Sequence, residues 1–177
     1  MSNKPAVKPA SPNFSSGPCA KRPGFDINKL DLSVLGRSHR SALGKRVLAD
    51  CCSETARILG LPEGYRVGIV AASDTGAMEI AMWSLLGPRG VDVFAWENFG
   101  NSWVVDAEQE LKLDTVNSYV ADYGDLPDLS RANFDHDVIF TWNGTAAGVK
   151  VPNGDWIPDD RRGLTLCDAT SAIFAMD

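Results

Sequence analysis

The sequence predicts an α/β fold, built on a mostly parallel sheet with helices on both faces. From Arg66 onward, short apolar runs alternate with amphipathic stretches of helical spacing. Strands that are apolar on both faces and alternate with helices are typical of a parallel sheet covered on two sides. A chain of 177 residues that is 44% hydrophobic is long enough for one such domain.

Three segments of the chain differ in composition. Residues 1–12 consist mainly of Lys, Pro, Ala and Ser, so we expect them to form a mobile arm. Residues 13–35 are expected to be rich in loops, because Gly and Pro are dense in their first half. Residues 36–177 are predicted to form the α/β domain itself.

The regular elements of this domain follow from the spacing of its apolar residues. A first long helix is predicted over residues 43–59, with Gly60 and Pro62 as its stop. A second helix is predicted to begin near Gly76 and to end before Gly87-Pro88, and a third over residues 103–113. The apolar runs predict five strands, over residues 67–71, 91–96, 116–121, 138–142 and 164–167.

Charge and composition argue against several classes of protein. The 17 Lys and Arg residues are outnumbered by 23 Asp and Glu, and no basic block is dense enough to bind nucleic acid. The sequence has no apolar run long enough to cross a membrane, so we expect a cytoplasmic protein. The four cysteines are scattered and only two histidines are present, which predicts no metal site.

Three polar clusters directly follow predicted strands, at residues 72–76, 143–145 and 168–171. In an open parallel sheet, ligands bind at the carboxyl ends of the strands. We therefore expect the three clusters to border one crevice, which is the candidate site.

The first cluster, Ser73-Asp74-Thr75-Gly76, joins a predicted strand to a predicted helix. Free backbone amides at a helix start, with hydroxyls and a glycine beside them, form a cradle for a phosphate. The alternative is a plain helix N-cap, since Ser, Asp and Thr are preferred cap residues.

Asp168 ends an apolar strand and is the sharpest candidate. A carboxylate bonded to a ring nitrogen keeps a pyridinium protonated, and such a ring accepts the electron pair of a carbanion. The alternative is an aspartate that caps the following turn. Thr145 could donate a hydrogen bond to a ring oxygen, or could simply belong to the turn Asn143-Gly144-Thr145.

Two further motifs are compatible with ligand binding. Trp103 follows a glycine-containing loop at a predicted helix start, where its indole could lie on an aromatic cofactor or could instead be core. His39 and Arg40 offer donors for a phosphate or carboxylate, although a solvated arginine at a helix start is the ordinary alternative.

Together these motifs resemble the phosphoserine aminotransferase family, fold-type I enzymes that depend on pyridoxal 5'-phosphate. The resemblance runs from Asn13 to the last residue. The motifs that support the resemblance most specifically are Asn13-Phe14-Ser15-Ser16-Gly17-Pro18 and Ser38-His39-Arg40. The resemblance implies that the chain is the front part of the large domain of such an enzyme.

The resemblance also implies roles for individual residues. It assigns to the cofactor Asp74, Thr75, Gly76, Trp103, Thr145 and Asp168. The first three would face the phosphate, Trp103 would stack on the ring, Thr145 would bond the ring hydroxyl, and Asp168 would hold the ring nitrogen. His39 and Arg40 would bind the acidic groups of the substrate. Many family members have a glycine-rich turn where this chain has Ala71-Ala72-Ser73-Asp74-Thr75, so its phosphate cradle would use hydroxyl and backbone donors.

The implied reaction moves an amino group between glutamate and 3-phosphohydroxypyruvate, giving phosphoserine and 2-oxoglutarate. It belongs to serine biosynthesis, and pyridoxine biosynthesis is a second implied pathway. Family members are homodimers with sites at the subunit interface, so the implied partners are a second subunit, a downstream fragment of the same enzyme, or both.

One departure from the family concerns the catalytic lysine that forms a Schiff base with the cofactor. No lysine follows Asp168, and the last one is Lys150 in a hairpin-like segment. We therefore assign no catalytic residue within this chain and expect it to be inactive alone. Two alternatives remain open: another small-substrate aminotransferase of the alanine-glyoxylate type, or a non-catalytic α/β module that binds an anion or a partner.

Overall fold

The computed structural model describes residues 21–176, so the predicted arm over residues 1–12 and the motif over residues 13–18 lie outside the described residues. The chain divides into two compact units, Met1–Gly68 and Ile69–Asp177. In the first unit, a turn of 3-10 helix at Ile27–Lys29 precedes helix α1, Ala42–Ile58. The side chain of Ser41 begins α1 by accepting a hydrogen bond from the Gly44 amide at 3.0 Å.

The second unit contains a four-stranded sheet and two helices. Its elements in chain order are α2 (Asp74–Leu85), β1 (Val91–Ala95), α3 (Asn98–Val105), β2 (Val116–Val120), β3 (Asp137–Thr141) and β4 (Thr165–Asp168). The strands are all parallel and lie in the order β2-β1-β3-β4. The predicted α/β fold class is confirmed, and four of the predicted strands agree with the structure to within one residue at each end.

Alternation along the strands divides the core into two clusters, one on each face of the sheet. On one face, Val93 and Ile139 pack with Met78 of α2 and Trp103 of α3. The residues of the other cluster are Phe94, Trp96, Val138, Phe140 and Val151. Its surrounding side chains come from β2 and from the β2–β3 and β3–β4 connections, including Trp156, whose ring lies edge-on to Phe140.

The predicted strand over residues 67–71 is not a strand in the structure. Its side chains are largely in solvent, with Ile69 58% and Val70 46% exposed. A strand needs a neighbour for its backbone hydrogen bonds, and none of the four paired strands borders this segment. The prediction of a strand here is wrong, because a β-type composition does not itself supply a pairing partner.

The predicted helix over residues 103–113 begins earlier and ends earlier than expected. Helix α3 starts at Asn98 because the Glu97 side chain acts as its N-cap, accepting from the Gly100 amide at 2.9 Å. After Val105 the backbone continues as a turn of π-helix, Asp106–Glu110. Among the helices that the structure describes, none has both the length and the apolar character needed to cross a bilayer.

Candidate functional site

The carboxyl end of the sheet holds a cavity of about 350 Å³. Asp168 closes β4 opposite Thr141 of β3 and lies on the same face as Leu166, which belongs to the cluster that α2 covers. This places the Asp168 carboxyl and the start of α2 around one space. The lining residues are Asp74, Ala77, Met78, Ala81, Leu166, Cys167, Asp168, Ala169 and Thr170.

The turn that enters α2 has features of an anion site. Ser73 occupies the N-cap position but makes no side-chain capping hydrogen bond, so its hydroxyl leaves the first amides of α2 uncapped. Ala72 adopts a φ of +77°, an uncommon conformation for a residue with a Cβ. A Cβ on Gly76 would stand 2.8 Å from the Ala72 Cβ, so the tight turn requires glycine there. Backbone strain of this kind concentrates at functional sites.

The Asp168 carboxylate caps the following turn and also borders the cavity. Its Oδ1 accepts hydrogen bonds from the Thr170 amide at 3.1 Å and from the Thr170 hydroxyl at 2.7 Å, so it caps the turn after β4. The same half-buried side chain lines the cavity. The carboxylate is thus held in place by one oxygen on the wall of the candidate site.

Cys167 lies beside this carboxylate on β4. Burial raises the pKa of its thiol to about 12, and the negative charge of Asp168 adds to the effect. The thiol is therefore protonated at neutral pH, which makes it a poor nucleophile although part of its surface is exposed.

Thr145 belongs to a small group of polar side chains at the ends of β3 and β4. Its hydroxyl lies 2.8 Å from that of Ser171, and the Asn143 amide donates to the same Ser171 oxygen at 3.1 Å. The structure therefore joins two of the predicted clusters, residues 143–145 and 168–171, by direct hydrogen bonds.

Thr75 faces a different space from its neighbour Asp74. It borders a second cavity of about 490 Å³, together with residues of the first turns of α3 such as Asn98, Asn101 and Ser102. Asp74 and Asp168 therefore share one cavity, while Thr75, in the first turn of α2, borders the cavity next to α3.

Trp103 lies in a different place from the one expected from the sequence. It occupies the second turn of α3 rather than the entrance to a helix, and it is only 2% exposed. Its indole packs in the cluster that contains Met78 and Leu166, and it does not line the cavity beside Asp168. The reason is the early start of α3 at Asn98, which turns Trp103 into the core.

His39 and Arg40 belong to the first unit. Both are exposed and lie in the turn before α1, where the Arg40 amide donates to the Ser38 hydroxyl at 3.1 Å. Their guanidinium and imidazole groups are accessible to a ligand. In the part of the chain that the structure describes, no group of three or more His, Cys, Asp or Glu side chains is arranged to hold a metal ion.

Glu97 is a buried acidic residue next to the site that the sequence reasoning did not single out. Its side chain is 1% exposed and contacts both α3 and the loop that carries Thr145. The available signal was an acid directly after a buried strand and three residues before Gly100, which fits an N-cap position although glutamate is not a preferred cap.

Comparison with known proteins gives one consistent name, although no family model matches the chain. The phosphoserine aminotransferase of Methanosarcina barkeri is 60% identical over 174 residues, which are 98% of this chain and 47% of that protein. The chain thus spans about half the length of the curated relatives it matches.

Solved structures give the same fold. A phosphoserine aminotransferase from Cytophaga hutchinsonii superposes with a TM-score of 0.69 at 23% identity, over 82% of this chain and 41% of that one. A phosphoserine aminotransferase from Trichomonas vaginalis with pyridoxal phosphate bound gives a TM-score of 0.54 at 15% identity, over 76% of this chain and 38% of that one. The resemblance inferred from the motifs is confirmed: over nearly its whole length this chain is similar to phosphoserine aminotransferases.

Proposed function

We propose that this chain forms the cofactor-binding part of a phosphoserine aminotransferase that uses pyridoxal phosphate. The observation that carries the proposal is the shared cavity between Asp168 and the first turn of α2, at the carboxyl end of a parallel sheet. The high identity to a named phosphoserine aminotransferase supports the choice of reaction.

The residues around this cavity fit a phosphorylated pyridine. The volume of the cavity, about 350 Å³, is within the range of small-molecule sites. The amides at the start of α2 have no capping side chain and suit a phosphate, while the Asp74 carboxylate must point away from it. When bound, pyridoxal phosphate supplies a ring that accepts the electron pair of a carbanion.

Asp168 would keep the ring nitrogen protonated with the carboxylate oxygen that Thr170 does not engage. The Thr145 hydroxyl would donate a hydrogen bond to the ring oxygen. In the structure this hydroxyl is hydrogen-bonded to that of Ser171. For Trp103 to stack on the ring, the indole would have to leave the core position that it holds in the structure. We therefore rank Trp103 below Asp168, Asp74 and Thr145 as a cofactor contact.

The rest of the proposed enzyme follows from the resemblance and not from the described site. Glutamate and 3-phosphohydroxypyruvate would be the substrates, with His39 and Arg40 as donors for their acidic groups, in serine biosynthesis in the cytoplasm. A second subunit would complete the site. The resemblance implies a lysine amine that binds the cofactor aldehyde, and we assign that role to no residue of this chain.

The test is an assay of the natural protein, as its gene encodes it, with glutamate and 3-phosphohydroxypyruvate. Asp168→Asn keeps the shape of the side chain but removes its charge, so we expect turnover to fall on the order of 100-fold, a typical loss for an electrostatic contact to the reacting group. Asp159→Asn, at an exposed position, is the matched control and should keep full activity.

Two results would count against the proposal. Unchanged turnover and unchanged cofactor absorbance in Asp168→Asn would show that this carboxylate does not contact the cofactor. A panel of amino acceptors that favours glyoxylate over 3-phosphohydroxypyruvate would replace the proposed substrate with that of an alanine-glyoxylate type enzyme.

A further inference from the structure

The side chain of Glu97 is a buried carboxylate at the carboxyl end of β1. It is 1% exposed, and among the described residues no cation forms a salt bridge with it. A charge removed from water needs compensating hydrogen bonds. The first of these comes from the Gly100 amide at 2.9 Å, in the first turn of α3.

The other carboxylate oxygen faces the loop between β3 and β4. The Ala146 amide donates to Glu97 Oε2 at 3.5 Å, a long contact. Gly144 lies directly against the same side chain, because a Cβ there would stand 2.7 Å from the Glu97 Cγ. One side chain therefore contacts both the start of α3 and residues 144–146.

The neighbouring Trp96 anchors the far side of this loop. Its indole Nε1 donates to the Val149 carbonyl at 3.1 Å, and the Gly144 amide donates to the same carbonyl at 2.7 Å. A bridge between Asn143 and Lys150 closes the loop. The loop is thus seated on two consecutive side chains that leave the end of β1.

This loop carries the polar groups that reach the turn after Asp168. Asn143 and Thr145 both contact the Ser171 hydroxyl, at 3.1 and 2.8 Å. A continuous set of contacts therefore leads from Glu97 through the loop to the segment that follows β4. Glu97 itself does not line the cavity that Asp74 and Asp168 share.

We infer that Glu97 is a positioning residue, which sets the place of Thr145 relative to Asp168 by holding the loop over residues 143–150. The inference rests on the proposed function, since it concerns the geometry of the same cofactor site. Glu97 acts through the loop and not by contact with a ligand.

The variant Glu97→Asp separates this role from simple helix capping. Aspartate is a preferred N-cap and can still accept from the Gly100 amide, but it is one methylene shorter and cannot reach the Ala146 amide. Glu97→Gln keeps the length but has only one acceptor oxygen, so it can accept from the Gly100 amide or from the Ala146 amide and not from both. Asp128→Ala removes an exposed carboxylate that caps the turn at Leu129–Arg131 and serves as the matched control.

The first measurement is hydrogen-deuterium exchange in the cofactor-free natural protein. For Glu97→Asp we expect amide exchange over residues 143–149 to rise about tenfold, while exchange over Asn98–Val105 stays close to wild type. Glu97→Gln should raise exchange in one of the two segments and not in both, because its single oxygen can replace only one of the two contacts. Asp128→Ala should change exchange only around its own turn.

The second measurement is the titration of pyridoxal phosphate into the same proteins, followed by absorbance. For Glu97→Asp we expect the dissociation constant to rise about tenfold, in parallel with the faster exchange of the loop. If the loop in Glu97→Asp exchanges as in wild type, or exchanges faster without any loss of affinity, the inference about Glu97 is overturned. If wild-type protein does not bind pyridoxal phosphate, the proposed function fails instead.

Discussion

The imidazole Nδ1 of His136 lies 2.8 Å from the Oδ1 of Asp92, a buried carboxylate near the amino end of β1 and away from the candidate site. Asp92 also accepts from the Asn117 side chain at 2.9 Å and from the Asn133 amide at 2.8 Å. Removing the acid leaves these donors without a partner. We expect Asp92→Ala to lower the free energy of unfolding by about 3 kcal/mol.

Urea unfolding measures this effect, with Asp135→Ala as the control. Asp135 forms a 3.4 Å ion pair with Arg162, but both side chains are largely exposed. Exposed pairs contribute about 0–1 kcal/mol, so the control should lie close to wild type. A loss below about 1 kcal/mol for Asp92→Ala would show that this network contributes little to stability.

At the start of α2, the effects of Gly76→Ala and Ala72→Gly on the melting temperature should not be additive. Gly76→Ala should lower the melting temperature even though alanine favours helices, because its Cβ would stand 2.8 Å from that of Ala72. Ala72→Gly removes that methyl group and also relieves the positive φ. We therefore expect the double variant to be more stable than Gly76→Ala alone, as thermal unfolding would show, and additive effects would contradict the contact.

Replacing Gly163 with alanine should greatly lower the stability, although the backbone φ of Gly163 is not in the left-handed region. A Cβ there would fall 1.6 Å from the His136 carbonyl oxygen, which is backbone and cannot move aside. A Cβ added at Gly154 would meet open space, so Gly154→Ala provides the control. We expect Gly163→Ala to destabilise by about 3 kcal/mol or more and Gly154→Ala to remain near wild type in the same denaturant titration.

Neutralising the side chain of Asp106 should stabilise the protein in a pH-dependent way. Burial raises the pKa of its carboxyl, and the negative charges of Glu79 and Glu110 raise it further. A raised pKa means that the ionised form is less stable in the folded chain than in the unfolded one, so the penalty acts at neutral pH and disappears when the carboxyl is protonated.

Asp106→Asn should therefore stabilise the protein at pH 7 by a few tenths of a kcal/mol, the usual size of a like-charge effect near the surface. The gain should vanish as the pH falls below the ordinary carboxyl pKa of 3.8. Melting curves across this range test the sign, and a gain that grows toward low pH would contradict it.

Cys167 should alkylate slowly at neutral pH. Its pKa of about 12 leaves almost no thiolate, and the thiolate is the reactive form. Cys51 on α1 is exposed and serves as the internal comparison. Peptide mapping after iodoacetamide at pH 7.5 should show Cys51 modified well before Cys167, and the Cys167 rate should still rise with pH above 9. Equal rates at neutral pH would contradict the raised pKa.

The strands of the sheet were the most predictable part of the fold. Residues of β1 and β3 are mostly apolar because both faces of these strands are buried, so their runs stand out in the sequence although each strand also holds a buried aspartate. The run over residues 67–71 has a similar composition but lacks a neighbouring strand. Pairing depends on distant parts of a chain, and local composition carries no information about it.

The candidate site was predictable where it depended on strand ends and less so where it depended on caps. Asp168 and Asp74 share a cavity, although the segment before Asp74 is not a strand and none of residues 143–145 lines that cavity. Trp103 is buried because Glu97, an uncommon capping residue, begins α3 five residues before the predicted start. The second hydrogen-bond partner of Glu97, the Ala146 amide, lies 49 residues away in the sequence, which no local pattern reveals.

The separation of the core into two clusters has a practical consequence for engineering. The cavity is lined from the side of α2, where Met78 and Leu166 lie, whereas Phe94 and Phe140 belong to the opposite face. The sheet therefore separates the cluster that contains Phe94 and Phe140 from the cluster that borders the cavity. A designer could therefore search for thermostable repackings among Phe94, Phe140 and Trp156 while the lining of the cavity is kept.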